Sequence, residues 1–222
     1  MDSEVLARMF DYIEQQNINL HALLIIRNGY IVTEAYFSPY KQQRKHNIYS
    51  CTKSFTSALI GIAIDQGCID SLDHKVLDFF PDHTFENDDS RKQAMTLGHL
   101  LTMRSGLDWP ESSVSYSSSQ NILMQMLWRP DWVQLVLDRP MAAEPGTTFN
   151  YNTGVSHLLS AILQEATGMS TFSFAREYLF EPLDISHVYW ESGPQGVTFG
   201  GAVITFRYLY HPGGQIIRTA AR

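Results

Sequence analysis

The chain has 222 residues, 44% of them hydrophobic and 18% charged, an ordinary globular composition that can fill one sizeable core or a core with a helical subdomain. A formal net charge of −7 argues against nucleic acid as a partner, and no apolar run approaches the ~20 residues of a membrane span. The start, Met1-Asp2-Ser3-Glu4, is acidic and leads into an amphipathic pattern rather than a secretory signal, so a cytoplasmic location is expected.

In chain order, Ser3 can cap a first helix with Val5, Leu6, Met9, Phe10 and Ile13 on one face. Leu20–Ile26 and Tyr30–Phe37 are apolar runs around Asn28-Gly29, the strongest short signal for an antiparallel hairpin. Residues 38–48 read as a polar loop, which includes a Ser-x-x-Lys pair, Ser38 and Lys41, with no helix to hold the lysine. The next stretch, Tyr49 to Ile64, enters an apolar helix. Phe55, Ala58, Leu59, Ile62 and Ala63 follow the i, i+3, i+4, i+7 spacing and predict a buried stripe, with Gly67 as the stop. The two cysteines, Cys51 and Cys68, would lie about 25 Å apart on such a helix, too far for a bridge, and are expected to be buried thiols.

Residues 69–81 carry Asp70, Asp73 and Asp78 and end at Pro81, and Asp82–Gln93 reads as a polar surface loop. Thr96 is placed to cap a short helix, Leu97–Met103, that stops at Ser105-Gly106; His99 within it reads as a packing residue. A serine-rich loop covers 107–121. Ile122–Trp128 and Trp132–Leu137 look helical, broken at Pro130, and the tryptophans 109, 128, 132 and 190 read as packing groups. Pro145-Gly146 makes a turn. Val155, Leu158, Leu159, Ile162, Leu163 and Ala166 predict a second long amphipathic helix ended by Gly168, and Phe172–Phe180 continues helically to Pro182. There are no internal repeats.

Chemistry concentrates at two helix starts. With Ser50 at the head of its helix, Lys53 is about 4.5 Å further along the axis on nearly the same face. A partly desolvated lysine offers its neutral amine more readily, and such an amine can take the serine proton. The helix N-terminus adds free N–H groups for a developing oxyanion. The alternative is a capping serine with a snorkelling lysine. Cys51 is a second candidate nucleophile, with no clear histidine partner nearby. Tyr151, between two turn signals and ahead of the second helix, can present its phenol to a cleft as general base or relay, or be a half-buried aromatic with a wet tip.

Together these pieces resemble the penicillin-recognising serine hydrolases, the group of class C β-lactamases, DD-peptidases, related esterases and 6-aminohexanoate-dimer hydrolases. Ser50-Cys51-Thr52-Lys53 resembles the first motif of that family, Leu97–Leu107 its following helix and turn, Pro145–Thr153 the approach to its Tyr-x-Asn or Tyr-x-Ser motif, and Phe180-Glu181-Pro182-Leu183 the stretch after the next helix. The likeness runs from about residue 20 to residue 201, in order.

The resemblance implies an α+β fold, an antiparallel sheet flanked by helices with a helical subdomain at roughly 82–182, and a domain over 1–201. It implies an acyl-enzyme at Ser50, proton transfer by Lys53 and Tyr151, an oxyanion donor in the Ser50 N–H, substrate binding at Thr153, and a small ester or amide as the substrate. No cofactor or metal is implied, and the oligomeric state is left open.

Two departures stand out. Thr153 replaces the Asn or Ser of the second motif and lacks an amide's paired donor and acceptor, which weighs against β-lactam recognition of the class C kind. Residues 202–222 hold no Lys-Thr-Gly or His-Thr-Gly, and Gly213-Gly214 is a poor substitute. The tail therefore reads as unlike the family and the last strands as missing by truncation or frameshift. A second reading follows, an inactive remnant with at most a binding role. Other hydrolase chemistries lack support: there is no Gly-x-Ser-x-Gly elbow, no His-Glu-x-x-His and no Gly-rich phosphate loop.

Overall fold

The computed structural model describes residues 2–206, which fall into two compact units, 2–45 and 46–206. Gly213-Gly214 and the rest of the tail beyond Phe206 lie outside the described residues.

The smaller unit is helix α1 (Ser3–Gln15) and the hairpin β1 (Ala22–Arg27) and β2 (Tyr30–Tyr36). Asp2, not Ser3, caps α1: its carboxylate accepts the Glu4 N–H at 2.9 Å, and Ser3 is already helical. The hairpin forms where Asn28-Gly29 predicts it. Both turn residues have positive φ, 52° and 81°, as a two-residue turn of that hand requires, and a bulge follows Ile25. Phe10 of α1 meets Phe37 at 6.4 Å between ring centroids.

The larger unit holds Ser50, Lys53, Tyr151 and Thr153. It opens with β3 (His46–Asn47), a 3₁₀ turn (Tyr49–Cys51) and α2 (Thr52–Asp65). A 3₁₀ turn (Val76–Phe79) and short helices α3 (Ser90–Gln93), α4 (Leu97–Leu101), α5 (Ile122–Leu127) and α6 (Trp132–Leu137) follow. Next come α7 (Thr153–Thr167) and α8 (Thr171–Ala175), the latter extended by a π-turn (Arg176–Phe180), then β4 (Val188–Trp190) and β5 (Ile204–Phe206). The strands form a three-stranded antiparallel sheet in the order β3-β5-β4. With the separate β1-β2 ribbon, this is the antiparallel-sheet-and-helix α+β architecture. No described helix is long and apolar enough to cross a membrane.

Helix α7 is the axis of this unit. Every residue from Thr153 to Leu163 is buried, and α2, α4 and α6 all pack on it. It is thus less amphipathic than its sequence suggests: Ser156, His157 and Ser160 are enclosed with the leucines. Gly67 and Gly168, at φ 72° and 68°, end α2 and α7 in the left-handed conformation that the sequence predicts there.

Other expectations are corrected. The buried face of α2 is Thr52, Thr56, Leu59, Ile60 and Ala63, while Ala58 is exposed and Phe55 and Ile62 are half-buried. Two threonines join the stripe because their hydroxyls are hydrogen-bonded inside: Thr56 Oγ1 donates to Gly200 O at 2.8 Å, and Thr52 Oγ1 accepts the Ile204 N–H at 3.3 Å. Both cysteines are free and exposed rather than buried, Cys51 on the outer side of the 3₁₀ turn and Cys68 past the helix stop. Lys92, in a stretch expected to be a surface loop, is fully buried, its ammonium donating to the carbonyls of Glu86 and Leu137. Of the four tryptophans, three are packed and Trp128 is 84% exposed. His99 is structural as read, its Nδ1 accepting the Thr96 N–H at 3.2 Å.

Candidate active site

Three of the four residues singled out in the sequence meet at one oxygen. Tyr151 Oη donates to Ser50 Oγ at 2.7 Å, and Lys53 Nζ donates to the same oxygen at 3.0 Å. Ser50 lies in the 3₁₀ turn that leads into α2, one turn before Lys53, so a single helical start sets that pair. Tyr151 comes from 101 residues away, on the extended segment that enters α7.

Lys53 is half-buried and held at a second point, where its ammonium donates to the carbonyl of Gly201 at 2.7 Å. That leaves Nζ 5.0 Å from the centroid of the Tyr151 ring. The two glycines that supply acceptors to α2 are wedged against α7. A Cβ on Gly200 would lie 2.1 Å from the Ser156 carbonyl oxygen, and one on Gly201 would lie 2.4 Å from Thr153 Cγ2. Only glycine lets this backbone pass between the two helices and still reach Lys53 and Thr56. In the sequence Gly200-Gly201 shows as a family likeness; its task as the clamp of the lysine depends on a contact 148 residues long in sequence.

Thr153 is not with the other three. It is 2% exposed, and its hydroxyl, expected to bind substrate, instead donates to Glu111 Oε1 at 2.7 Å, while its N–H donates to Glu111 Oε2 at 2.7 Å. The first turn of α7 faces the core, which turns this side chain inward. Glu111 has no motif around it in the sequence and was missed there.

Tyr49, immediately before Ser50, is 68% exposed and adopts φ 46°, a left-handed backbone that side chains with a Cβ rarely occupy. Its N–H donates to Asn47 Oδ1 at 2.7 Å. No group of three or more metal-ligating side chains is present among the described residues.

Comparison with known proteins gives the family and the fold. The beta-lactamase family model matches residues 6–204, carrying the likeness three residues beyond Gly201 and into β5. A beta-lactamase of Escherichia coli K12 is 28% identical over 187 residues, 80% of this chain and 45% of that protein. The unguisins hydrolase ungD of Aspergillus violaceofuscus is 28% identical over 146 residues, 63% of this chain and 24% of that protein. A solved structure of a candidate 6-aminohexanoate-dimer hydrolase from Bacillus anthracis superposes with a TM-score of 0.73 at 19% identity. It covers 89% of this chain and 53% of that one, a likeness of fold. The chain thus spans from about a quarter to about half of the length of these relatives.

Proposed function

Because the chain belongs to the beta-lactamase family, we propose that it carries the acylating centre of a serine hydrolase acting on a small ester or amide. The observation that carries the reading is the convergence of Lys53 Nζ and Tyr151 Oη on Ser50 Oγ, at 3.0 and 2.7 Å. These are hydrogen-bond distances for passing a proton, and the three groups come from two different helix starts.

In this reading Ser50 Oγ bonds to the substrate carbonyl carbon while its proton passes to the Lys53–Tyr151 pair. The same proton then goes to the leaving oxygen or nitrogen as that bond breaks, leaving an acyl group on Ser50. Water repeats the attack through the same pair and frees the serine. Lys53, held on Gly201, stands beside Ser50 Oγ and over the Tyr151 ring, and the ammonium that forms when its amine takes the proton stabilises negative charge developing there. The Ser50 N–H, at the start of α2, is the oxyanion donor this chain would supply. No cofactor enters the scheme.

One competing reading is a family remnant that keeps the arrangement without turnover. Intact-protein mass spectrometry after incubation with a serine-directed phosphonate separates the two. The active reading expects one adduct on the wild type and none on Ser50→Ala, with p-nitrophenyl ester turnover lost in the same variant. A folded wild type that takes up no phosphonate would leave the remnant reading standing.

A further inference from the structure

Glu111 is 1% exposed and accepts four hydrogen bonds. Trp109 Nε1–H and the Thr153 N–H donate to Oε2, each at 2.7 Å; the hydroxyls of Thr153 and Tyr116 donate to Oε1 at 2.7 and 3.0 Å. A carboxylate has about four acceptor sites, and all are filled. Among the described residues no cation pairs with it. A buried carboxylate is a costly way to satisfy four donors, since a neutral amide of the same shape avoids most of the desolvation. What the amide cannot do is accept from all four at once.

Glu111 and its partner Trp109 reach the two sides of the proposed catalytic tyrosine. Thr153, two residues after Tyr151, is gripped twice by Glu111. Asn150, one residue before it, donates through Nδ2 to the carbonyl of Trp109 at 3.1 Å, and its N–H donates to Met103 O at 2.8 Å. Glu111 is itself tied down, because Asn121 Nδ2 donates to its carbonyl at 2.9 Å. Tyr116 is the one member of the cluster with a half-exposed ring. Burial, the bond to Glu111 and the charge of Glu111 push its phenol up to about 12, and its proton is committed to the carboxylate.

We propose that Glu111 is the positioning carboxylate of this site. It holds the segment that aims Tyr151 at Ser50, and it fixes Tyr116 with its proton turned inward, so that Tyr116 presents only oxygen lone pairs outward. The inference rests on the serine-hydrolase reading for its consequence in rate, but not for the hydrogen-bond polarity. It also explains why Thr153 can stand where the family motif carries Asn or Ser: the position serves the carboxylate rather than the substrate.

Glu111→Gln is the test. Its carbonyl can face the two N–H donors while its amide faces the two hydroxyls, which then reverse; the shape stays and the polarity flips. The expected result is a melting temperature within a few degrees of wild type, phosphonate labelling of Ser50 slowed about tenfold or more, and a rate–pH profile displaced from that of wild type. Tyr116→Phe, which keeps Glu111, should have a smaller effect, and none when added to Glu111→Gln. Labelling at the wild-type rate with the wild-type pH profile, or a loss only in proportion to the unfolded fraction, overturns the proposal.

A readout independent of reactivity is the ¹³Cζ resonance of Tyr116 and of Tyr151 in tyrosine-labelled protein, assigned from the Phe variants. Both should move in Glu111→Gln, and two unmoved resonances overturn the inference whether or not the wild type labels. Moved resonances in a wild type that takes up no phosphonate would instead refute the hydrolase reading alone.

Discussion

The two helix starts that meet at Ser50 Oγ are built in opposite ways. The head of α7 is locked from every side. Asn152 caps it, accepting the Val155 N–H at 3.0 Å, Glu111 grips Thr153, and a Cβ on Gly154 would already lie 2.7 Å from Val136 Cγ2. The head of α2 has no side-chain cap, and Tyr49, Ser50 and Cys51 are all exposed. What holds it is one distant segment. The carbonyls of Gly200, Gly201 and Ile204 accept from Thr56, Lys53 and the Ile48 N–H, and the Ile204 N–H donates to Thr52. So Tyr151, the proposed relay, is fixed by the core, while Ser50, the proposed nucleophile, is left exposed and is steadied from the far end of the unit. An exposed nucleophile needs room for an incoming carbonyl, and a proton relay needs a constant distance.

The largest effects should come from the shared oxygen. Lys53→Met removes the amine while keeping the stem, and should slow phosphonate labelling of Ser50 by about 10²–10⁴-fold without unfolding the protein. Equal labelling in wild type and Lys53→Met would break the comparison at its centre. Gly200→Ala comes next. Its new methyl meets backbone rather than a flexible side chain, so the 200–204 segment must move off α2 and α7 together. A loss of about 3 kcal/mol or more in urea unfolding is expected, with labelling of the surviving folded fraction reduced. Unchanged labelling there would show that α2 does not depend on that segment.

The core that locks α7 also has a pH limit. His157 sits in it between Trp132 and Phe199, at centroid distances of 5.2 and 5.8 Å, and burial pulls its imidazole down from 6.5 to about 4. Since the unfolded chain binds that proton first, stability is fully present above about pH 6.5 and falls as the pH drops toward 4. The loss is roughly 3 kcal/mol for this group alone. A urea series from pH 7 to 4 should show that slope in wild type and a flatter one in His157→Phe.

How much of this was legible in the sequence follows from the range of each interaction. Ser50 and Lys53 share one helical turn, so spacing alone pairs them, and glycines past an apolar run mark the ends of α2 and α7. Tyr151 was legible as a residue that a turn and a helix start present to a cleft, though only the structure brings it to Ser50. The direction of Thr153 was not legible, because it is set by Glu111, 42 residues earlier in a loop with no periodicity. The buried face of α2 was misplaced for the same reason: Thr52 and Thr56 look polar until Gly200 and Ile204 arrive to satisfy them. Lys92 likewise reads as surface until the Glu86 and Leu137 carbonyls close over it.

The smallest effects test the contrast itself, because the two helix starts should respond with opposite signs. Asn152→Ala removes the cap of α7 and leaves the Val155 N–H buried without its partner, which should destabilise by about 1 kcal/mol, up to 2 at a buried end. Tyr49→Gly acts on the uncapped start. A left-handed backbone costs a residue with a Cβ about 1–2 kcal/mol, and the extra freedom of glycine in the unfolded chain returns about 0.5–1 kcal/mol of that, so the variant should gain up to about 1.5 kcal/mol. Strain beside a nucleophile persists only when its surroundings hold it there, and here the Asn47 side chain and the Ile204 carbonyl do so. If the strain serves to present Ser50, Tyr49→Gly should melt higher yet label more slowly. A variant that melts higher and labels as fast as wild type would mean that the open start of α2 tolerates strain without using it.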